Sequence, residues 1–391
     1  MQYAKRLNLL PALLLVLAFC KGSETSPGGD DTPSIEDYHI AWDESSLVCI
    51  ADEGAYPRLR RLNDGSLLAA YENRQGDVMV KESRDEGVTW SDPVPAFEAF
   101  EYIDADRRES TMVNIANPEL IQLPGGELLL AVNLRPKREG IYPFSIALKR
   151  SIDRGQSWSE MEILYRAGTL FRDGCWEPSF LMLPDGTIHI YFANESPYRQ
   201  SDEQEISMLF SSDNGRTWST EPITVSFRQG HRDGMPVAVH NGTDIFVAIE
   251  DNFSGQFKPY IVKSPLQDAW CEPVLGDSPN RYSALQHPLP DAIYAGAPYL
   301  IKTDRDIFVL SYQTTERRTS EWEHSTMEVV ISDQPADFRN PSRPFDVPLE
   351  KEAKWSSLAD LGDHTIAALS STNFNSDQIG VWMIKGKIVR K

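Results

Sequence analysis

Two glutamates interrupt stretches that otherwise read as strands. Residues 174–180 are GCWEPSF, with Glu177 between a tryptophan and a proline, and residues 245–250 are IFVAIE, with Glu250 closing an apolar run. Glutamate is almost never fully buried unless it is paired. Two carboxylates brought to one sugar can cleave a glycosidic bond: one protonated, to donate to the leaving oxygen, and one ionised. Glu177, beside Trp176 and Cys175, has the apolar neighbours that raise a carboxyl pKa. Glu250, followed by Asp251 and Asn252, has polar neighbours expected to keep it ionised as a nucleophile.

The elements that must position them repeat. A turn followed by a strand recurs as LNDGSLLAAYE (62–72), LPGGELLLAVN (123–133), LPDGTIHIYFANE (183–195) and HNGTDIFVAIE (240–250), with weaker copies at 302–313 and 361–371. The turn glycines Gly65, Gly126, Gly186 and Gly242 are 61, 60 and 56 residues apart and supply the positive φ of a tight hairpin. Before five of the turns lies a short strand with a proline near its start: YPRL, NPEL, EPSF, MPVA and APYL; the sixth, KWSSLADL, lacks it. Proline is tolerated at a strand start, where its missing N–H matters little.

A third signature, S-x-D-x-G-x-[ST]-W, appears at 83–90, 151–158 and 211–218, with an eroded copy at 264–270. The aspartate closes a turn, the glycine takes its left-handed residue and the tryptophan plugs the hairpin. This is the Asp-box. It marks β-propellers, and Asp85, Asp153 and Asp213 read as structural. The expected fold is all-β: a six-bladed β-propeller with Asp-box hairpins, filling residues 39–391. Tyr38–Glu44 or 46–52 is expected to complete the last blade and close the ring.

A propeller turns its innermost strands to a central depression. The proline-marked strands read as innermost, which predicts that Arg58, Asn117, Glu119, Glu177, Asp233, Met235 and Ala297 face it. Ends of the second strands add Glu72, Asn133, Asn194, Glu195 and Glu250. Glu177 and Glu250 are the expected catalytic pair. Arg58, Glu72, Asn117, Glu119, Trp176, Arg232 and Asp233 are the expected substrate contacts. Each also has a plainer reading: Glu177 paired with Arg172 or Arg232, Glu250 a solvated strand end, Arg58 in an ion pair, Trp176 in the core. Loops 99–113, 194–206 and 277–296 are expected to wall the pocket.

Three stretches, 56–72, 174–192 and 231–252, together resemble glycoside hydrolase family 93, the exo-α-1,5-L-arabinanases of the sialidase-like propellers. The resemblance covers most of residues 50–270 and thins in the last two repeats. It implies a W-E-P glutamate as acid/base, which falls on Glu177, and a strand-end glutamate one blade later as nucleophile, which falls on Glu250. It also implies retention of configuration and release of a disaccharide from linear arabinan. Sialidases share the boxes and the blade count but grip a carboxylate with three arginines. The first of these stands two residues before the strand proline, where this chain has Ala55. A sialidase-like exo-glycosidase acting on another sugar and a non-catalytic carbohydrate-binding propeller are the rival readings.

Lys and Arg number 38 against 58 Asp and Glu, a net charge of −20. That argues against nucleic acid, which needs a basic patch. No His, Cys or carboxylate cluster has ligand spacing, so neither metal nor cofactor is expected. The N-terminus, MQYAKRLNLLPALLLVLAFC, reads as a signal peptide over residues 1–20. Cys20 resembles a lipoprotein cleavage box, although Phe19 stands where a small residue is usual. A polar Gly/Pro/Ser-rich tether follows over 21–38. The expectation is a monomeric, extracytoplasmic protein, lipid-anchored through Cys20 or else secreted, acting on a carbohydrate. Cys49, Cys175 and Cys271 are expected as buried thiols with at most one disulfide.

Overall fold

The computed structural model describes residues 34–391. The signal peptide, Cys20 and residues 21–33 of the tether lie outside the described residues. Six sheets follow one another along the chain, antiparallel except for one short parallel pair at the outer edge of the third. Their first strands are Ala55–Arg61, Glu109–Gln122, Cys175–Met182, Asp233–His240, Ala295–Lys302 and Ala353–Gly362. Each of these packs on the first strand of the next sheet, and the sixth packs on the first, so the six form a closed inner ring. The fold is a six-bladed β-propeller with blades I to VI in chain order.

Closure is made by Tyr38–Ala51, the outermost strand of blade VI, paired antiparallel with Gly380–Arg390. Both stretches proposed for this strand belong to it, joined across a register break between Asp43 and Val48. Pairing the chain's first strand with its last leaves the ring without a free seam, as full closure of a β-architecture requires. Within the stretch expected as tether, a 3-10 turn at Ile35–Asp37 buries Ile35.

The inner hairpins turn as the repeats predict. Gly65, Gly126, Gly186 and Gly242 take φ of 87°, 90°, 88° and 97°. The two weak copies use non-glycine residues at positive φ: Asp306 in blade V, and Asp363 with His364 in blade VI. Asn, Asp and His tolerate that region better than other side chains. The three boxes close the outer hairpins alike. In the first, Asp85 accepts from Thr89 N–H at 2.8 Å and from the Ser83 and Thr89 hydroxyls, while Trp90 Nε1 donates to Gly87 O at 3.2 Å. These bonds hold the Asp85 carboxyl down at about 2.

Every inner strand carries a β-bulge at the same place. The bulged residues Tyr56, Asn117, Glu177, Met235, Ala297 and Trp355 all have φ between 47° and 54°. In five blades the next residue is the marker proline; in blade VI it is Ser356, and the bulge forms without it. Tyr56, Met235 and Ala297 pack together with Trp355 on the propeller axis. The remaining two bulge residues, Asn117 and Glu177, are polar.

The described cysteines are free thiols, and only Cys175 is buried; Cys49 is partly exposed and Cys271 exposed. The expectation of three buried thiols fails at Cys271, which lies on a surface bend, and at Cys49, which lies in the outermost strand of blade VI.

Candidate active site

A cavity of about 340 Å³ opens over the bulges. Among its lining residues are Tyr56, Glu72, Asn117, Arg135, Trp176, Glu177, Glu195, Arg232, Glu250 and Trp355. The chain reaches it by a rule that repeats round the ring. Opposite the residue before each bulge pair stands a second-strand side chain: Glu72, Asn133, Ala193, Glu250, Gln313 and Ser371 in blades I to VI. Four of these reach forward and accept the bulge N–H of the following blade. Glu72 takes Asn117 N–H at 2.7 Å, Glu250 takes Ala297 N–H at 2.7 Å, Gln313 takes Trp355 N–H at 2.9 Å and Ser371 takes Tyr56 N–H at 2.8 Å.

Blade II departs from the rule, since the Asn133 oxygen accepts nothing among the described residues, and blade III departs further. Its residue at this position is Ala193, which can accept nothing. The Met235 N–H of blade IV is taken instead by the bulge residue Glu177, at 3.4 Å. Glu177 therefore leans from blade III toward blade IV, where Glu250 arrives by the ordinary route. Two carboxylates converge because one blade substitutes its bulge side chain for the missing latch.

Their surroundings differ. Burial, and after it the charge of Glu250, raise the Glu177 carboxyl to about 8 against the pull of Met235 N–H and Arg135. Burial raises Glu250 to about 7 against the pull of Ala297 N–H and Arg232. The polar surround expected for Glu250 is thus outweighed by its enclosure. Burial pushes both carboxyls up, and repulsion between them favours a pair that carries one proton. Glu177 forms no ion pair with Arg172 or Arg232; Arg232 is bound to Glu195 and donates to Gln204 Oε1 at 2.7 Å.

The backbone makes room for Glu250. A Cβ on Gly234 would lie 3.0 Å from Glu250 Oε1, and one on Gly296 would lie 2.5 Å from Glu250 Oε2 and from Tyr294 Oη. Glycine is required at both positions because side chain and backbone approach there this closely.

Of the expected contacts, Glu72, Asn117, Trp176 and Arg232 line the cavity with Glu177 and Glu250. Arg58, Glu119 and Asp233 do not. Arg58 follows the bulge and turns beneath it, where Nε donates to Glu119 at 3.0 Å under the Tyr56 and Tyr299 rings. Glu119 also holds Arg60 at 2.7 Å. Asp233 is fully buried, bidentate to Arg281 at 2.8 and 2.5 Å. The left-handed bulge residue breaks the period-2 alternation that would have put Tyr56 and Arg58 on one face. Asn133 is buried behind the rim, donating to Cys175 O at 2.6 Å, and Asn194 is bonded to Tyr165 and Ser207.

Residues unforeseen from sequence complete the walls. Tyr56 and Trp355 are bulge residues, legible once the residue before the marker proline is taken as the one that faces inward. Arg135 lies at the end of a second strand extended to Pro136, beside a hairpin formed by Phe100–Asp104 with 109–113. Gln204 comes from the loop expected at 194–206, whereas Phe171 and Phe257 come from loops not expected to contribute. Residues 99–113 and 277–296 contribute no lining residue. The cavity thus gathers four carboxylates, two arginines and aromatic rings. No group of three or more His, Cys, Asp or Glu residues suited to a metal occurs among the described residues.

No protein-family model matches the chain, and no curated relative matches it. Solved structures do. An α-L-arabinanase from Penicillium chrysogenum, complexed with arabinobiose, is 18% identical, with a TM-score of 0.63 over 88% of this chain and 98% of that one. A family 93 α-L-arabinofuranosidase of Fusarium graminearum, also with arabinobiose, is 16% identical, with a TM-score of 0.61 over 88% and 97%. A sialidase from Streptococcus pneumoniae is 13% identical, with a TM-score of 0.59 over 90% and 70%. At these identities the likeness is one of fold: the chain is similar to sialidase-like propellers.

Proposed function

We propose that the protein is a glycoside hydrolase for a neutral sugar, acting with retention through Glu177 and Glu250 and resembling the exo-α-1,5-L-arabinanases. The observation that carries this reading is the convergence of two enclosed carboxylates from adjacent blades in one sugar-sized cavity, both pushed up by burial. Glu177 donates its proton to the glycosidic oxygen as the bond to the anomeric carbon breaks. Glu250 attacks that carbon and forms a glycosyl ester. In the second step Glu177 takes a proton from water, the water oxygen bonds to the anomeric carbon and Glu250 leaves as carboxylate. The arabinanase folds among its neighbours support the choice of sugar. Against an acidic sugar stand four carboxylates with two arginines, one of them already bound to Glu195.

On the same reading, the chain works outside the cytoplasm, tethered through Cys20 ahead of the propeller. The test is product release from linear arabinan and a set of neutral glycosides, with the first-formed anomer identified by proton NMR. Retained configuration, abolished by Glu177→Ala and by Glu250→Ala, is the expected result. Wild-type rates in both variants would overturn the assignment. Binding without any product would favour a carbohydrate-binding propeller.

A further inference from the structure

Three side chains on the blade I–II wall of the cavity have hydrogen-bonding capacity left unused among the described residues. Asn117 is only 6% exposed, yet its side-chain oxygen is buried without a hydrogen bond. Glu72 gives one oxygen to Asn117 N–H, and its other oxygen accepts nothing among the described residues. The Arg135 guanidinium lies 5.2 Å over the Trp176 ring and makes neither ion pair nor hydrogen bond among the described residues. Across the cavity the arginine is already engaged: Arg232 is taken up by Glu195 and Gln204. Buried polar groups are nearly always satisfied, and exceptions call for an explanation.

We propose that Asn117, Glu72 and Arg135 form a clamp for two neighbouring hydroxyls of a neutral sugar and so determine which sugar the enzyme accepts. The proposal rests on the glycosidase reading of this cavity and names the part of the substrate that the reading leaves open. A hydroxyl donates once and accepts through its lone pairs; a carboxylate only accepts and a guanidinium only donates. With the Asn117 amide turned so that its oxygen faces the cavity, one hydroxyl donating to it and its neighbour donating to Glu72, with Arg135 donating to both, satisfies every group on this wall. A sugar lacking one of these hydroxyls leaves the Asn117 oxygen or the Glu72 carboxylate unpaired, and sites built this way reject such analogues strongly. An acidic sugar brings its charge against Glu72 and Glu177, with Arg135 alone to meet it.

The test reads binding rather than turnover, through the fluorescence of Trp176 and Trp355, which line the cavity. The probes are methyl α-L-arabinofuranoside, its 2-, 3- and 5-deoxy analogues, and N-acetylneuraminic acid. Wild type should bind the parent glycoside about tenfold more tightly than at least one deoxy analogue. Asn117→Gly keeps the positive φ and the N–H to Glu72 while deleting the amide, and should bind the parent and that analogue within about twofold. Arg135→Met, which leaves the bulge untouched, should weaken the parent by about tenfold. Unchanged discrimination in both variants overturns the clamp, as does tighter binding of N-acetylneuraminic acid or no binding by any neutral glycoside. Discrimination without turnover of any glycoside would leave the clamp standing and remove the hydrolase reading. Turnover of the arabinoside with undiminished discrimination in both variants would do the reverse.

Discussion

Glu250 Oε2 accepts the Ala297 N–H at 2.7 Å, and that bond crosses from blade IV to blade V. The same bond is made by Glu72 to Asn117, Gln313 to Trp355 and Ser371 to Tyr56. An amide and a hydroxyl serve the latch as well as a carboxylate does. The latch therefore explains an acceptor at position 250 but not a negative charge, and the charge is left for chemistry.

This separation can be measured. Glu250→Gln retains an acceptor for Ala297 N–H but cannot act as a nucleophile; its turnover should fall at least about 10³-fold with little loss of stability. Glu250→Ala should be as inactive and should also melt below Glu250→Gln, because an enclosed N–H is left unpaired at a cost of roughly 1–3 kcal/mol. Thermal melts of the two variants beside initial rates check both halves. Equal melting temperatures would remove the latch from the account.

The pair should give a narrow pH–rate profile. Activity requires Glu250 ionised and Glu177 protonated. With Glu250 raised to about 7 and Glu177 to about 8, the pair carries one proton only over a short interval. The kcat/KM profile should rise through an apparent pKa near 7 and fall through one near 8. Glu177→Gln should lose the alkaline limb for a substrate whose leaving group needs no proton. A broad plateau from pH 4 to 7 would contradict the assignment.

The same shifts bear on stability with a definite sign. Both carboxyls bind protons more tightly folded than unfolded, where their pKa is about 4.5, so the native state carries the extra protons between there and about 8. Stability from this pair is fully present below about 4.5 and is lost as pH rises through the folded values. Replacing Glu177 by Gln removes the cost of holding a charge there. The variant should therefore melt above wild type, by about 2 °C or more at pH 8.5, and match it at pH 5. An equal gain at both pH values would mean the effect is not electrostatic.

Much of this was legible because the repeat is physical. Turn glycines, strand prolines and Asp-boxes each mark a backbone conformation that few residues adopt, so blade number and the place of Glu177 could be read directly. The inward face could not. In a regular strand Tyr56 and Arg58 share a face. The left-handed residue before the proline turns the chain, so Tyr56 meets the axis while Arg58 passes beneath it. Trp355 escaped notice because its bulge has Ser356 in place of proline. Arg135 lies in a strand end whose register depends on a hairpin absent from the other blades.

Gly296 is the position where crowding around Glu250 is tightest. A methyl there would meet both Glu250 Oε2 and Tyr294 Oη at 2.5 Å, closer than real Cβ contacts occur. Tyr294 is held by Gln313 Nε2 at 2.7 Å and Glu250 by Ala297 N–H, so neither can withdraw without breaking a hydrogen bond. Gly296→Ala should lower kcat by roughly 10²-fold through displacement of the carboxylate, with the fold intact by circular dichroism. A variant of wild-type activity would show that Glu250 tolerates the shift.

The Arg58–Glu119 pair should matter for stability and not for substrate. Both side chains are almost wholly buried, 4% and 2% exposed, and neither lines the cavity. Glu119 is shared by Arg58, Arg60 and the Tyr299 hydroxyl, so Glu119→Ala leaves a buried guanidinium without its counter-charge. The expected cost is about 3–5 kcal/mol. An Arg58→Met, Glu119→Leu double variant should recover part of it, because an apolar pair avoids the desolvation of Arg58 and Glu119 while Arg60 still loses its partner. In each variant that folds, KM should stay near the wild-type value. A raised KM with an unchanged melting temperature would mean that Arg58 reaches the sugar after all, through a movement of the bulge that carries Tyr56 off the axis.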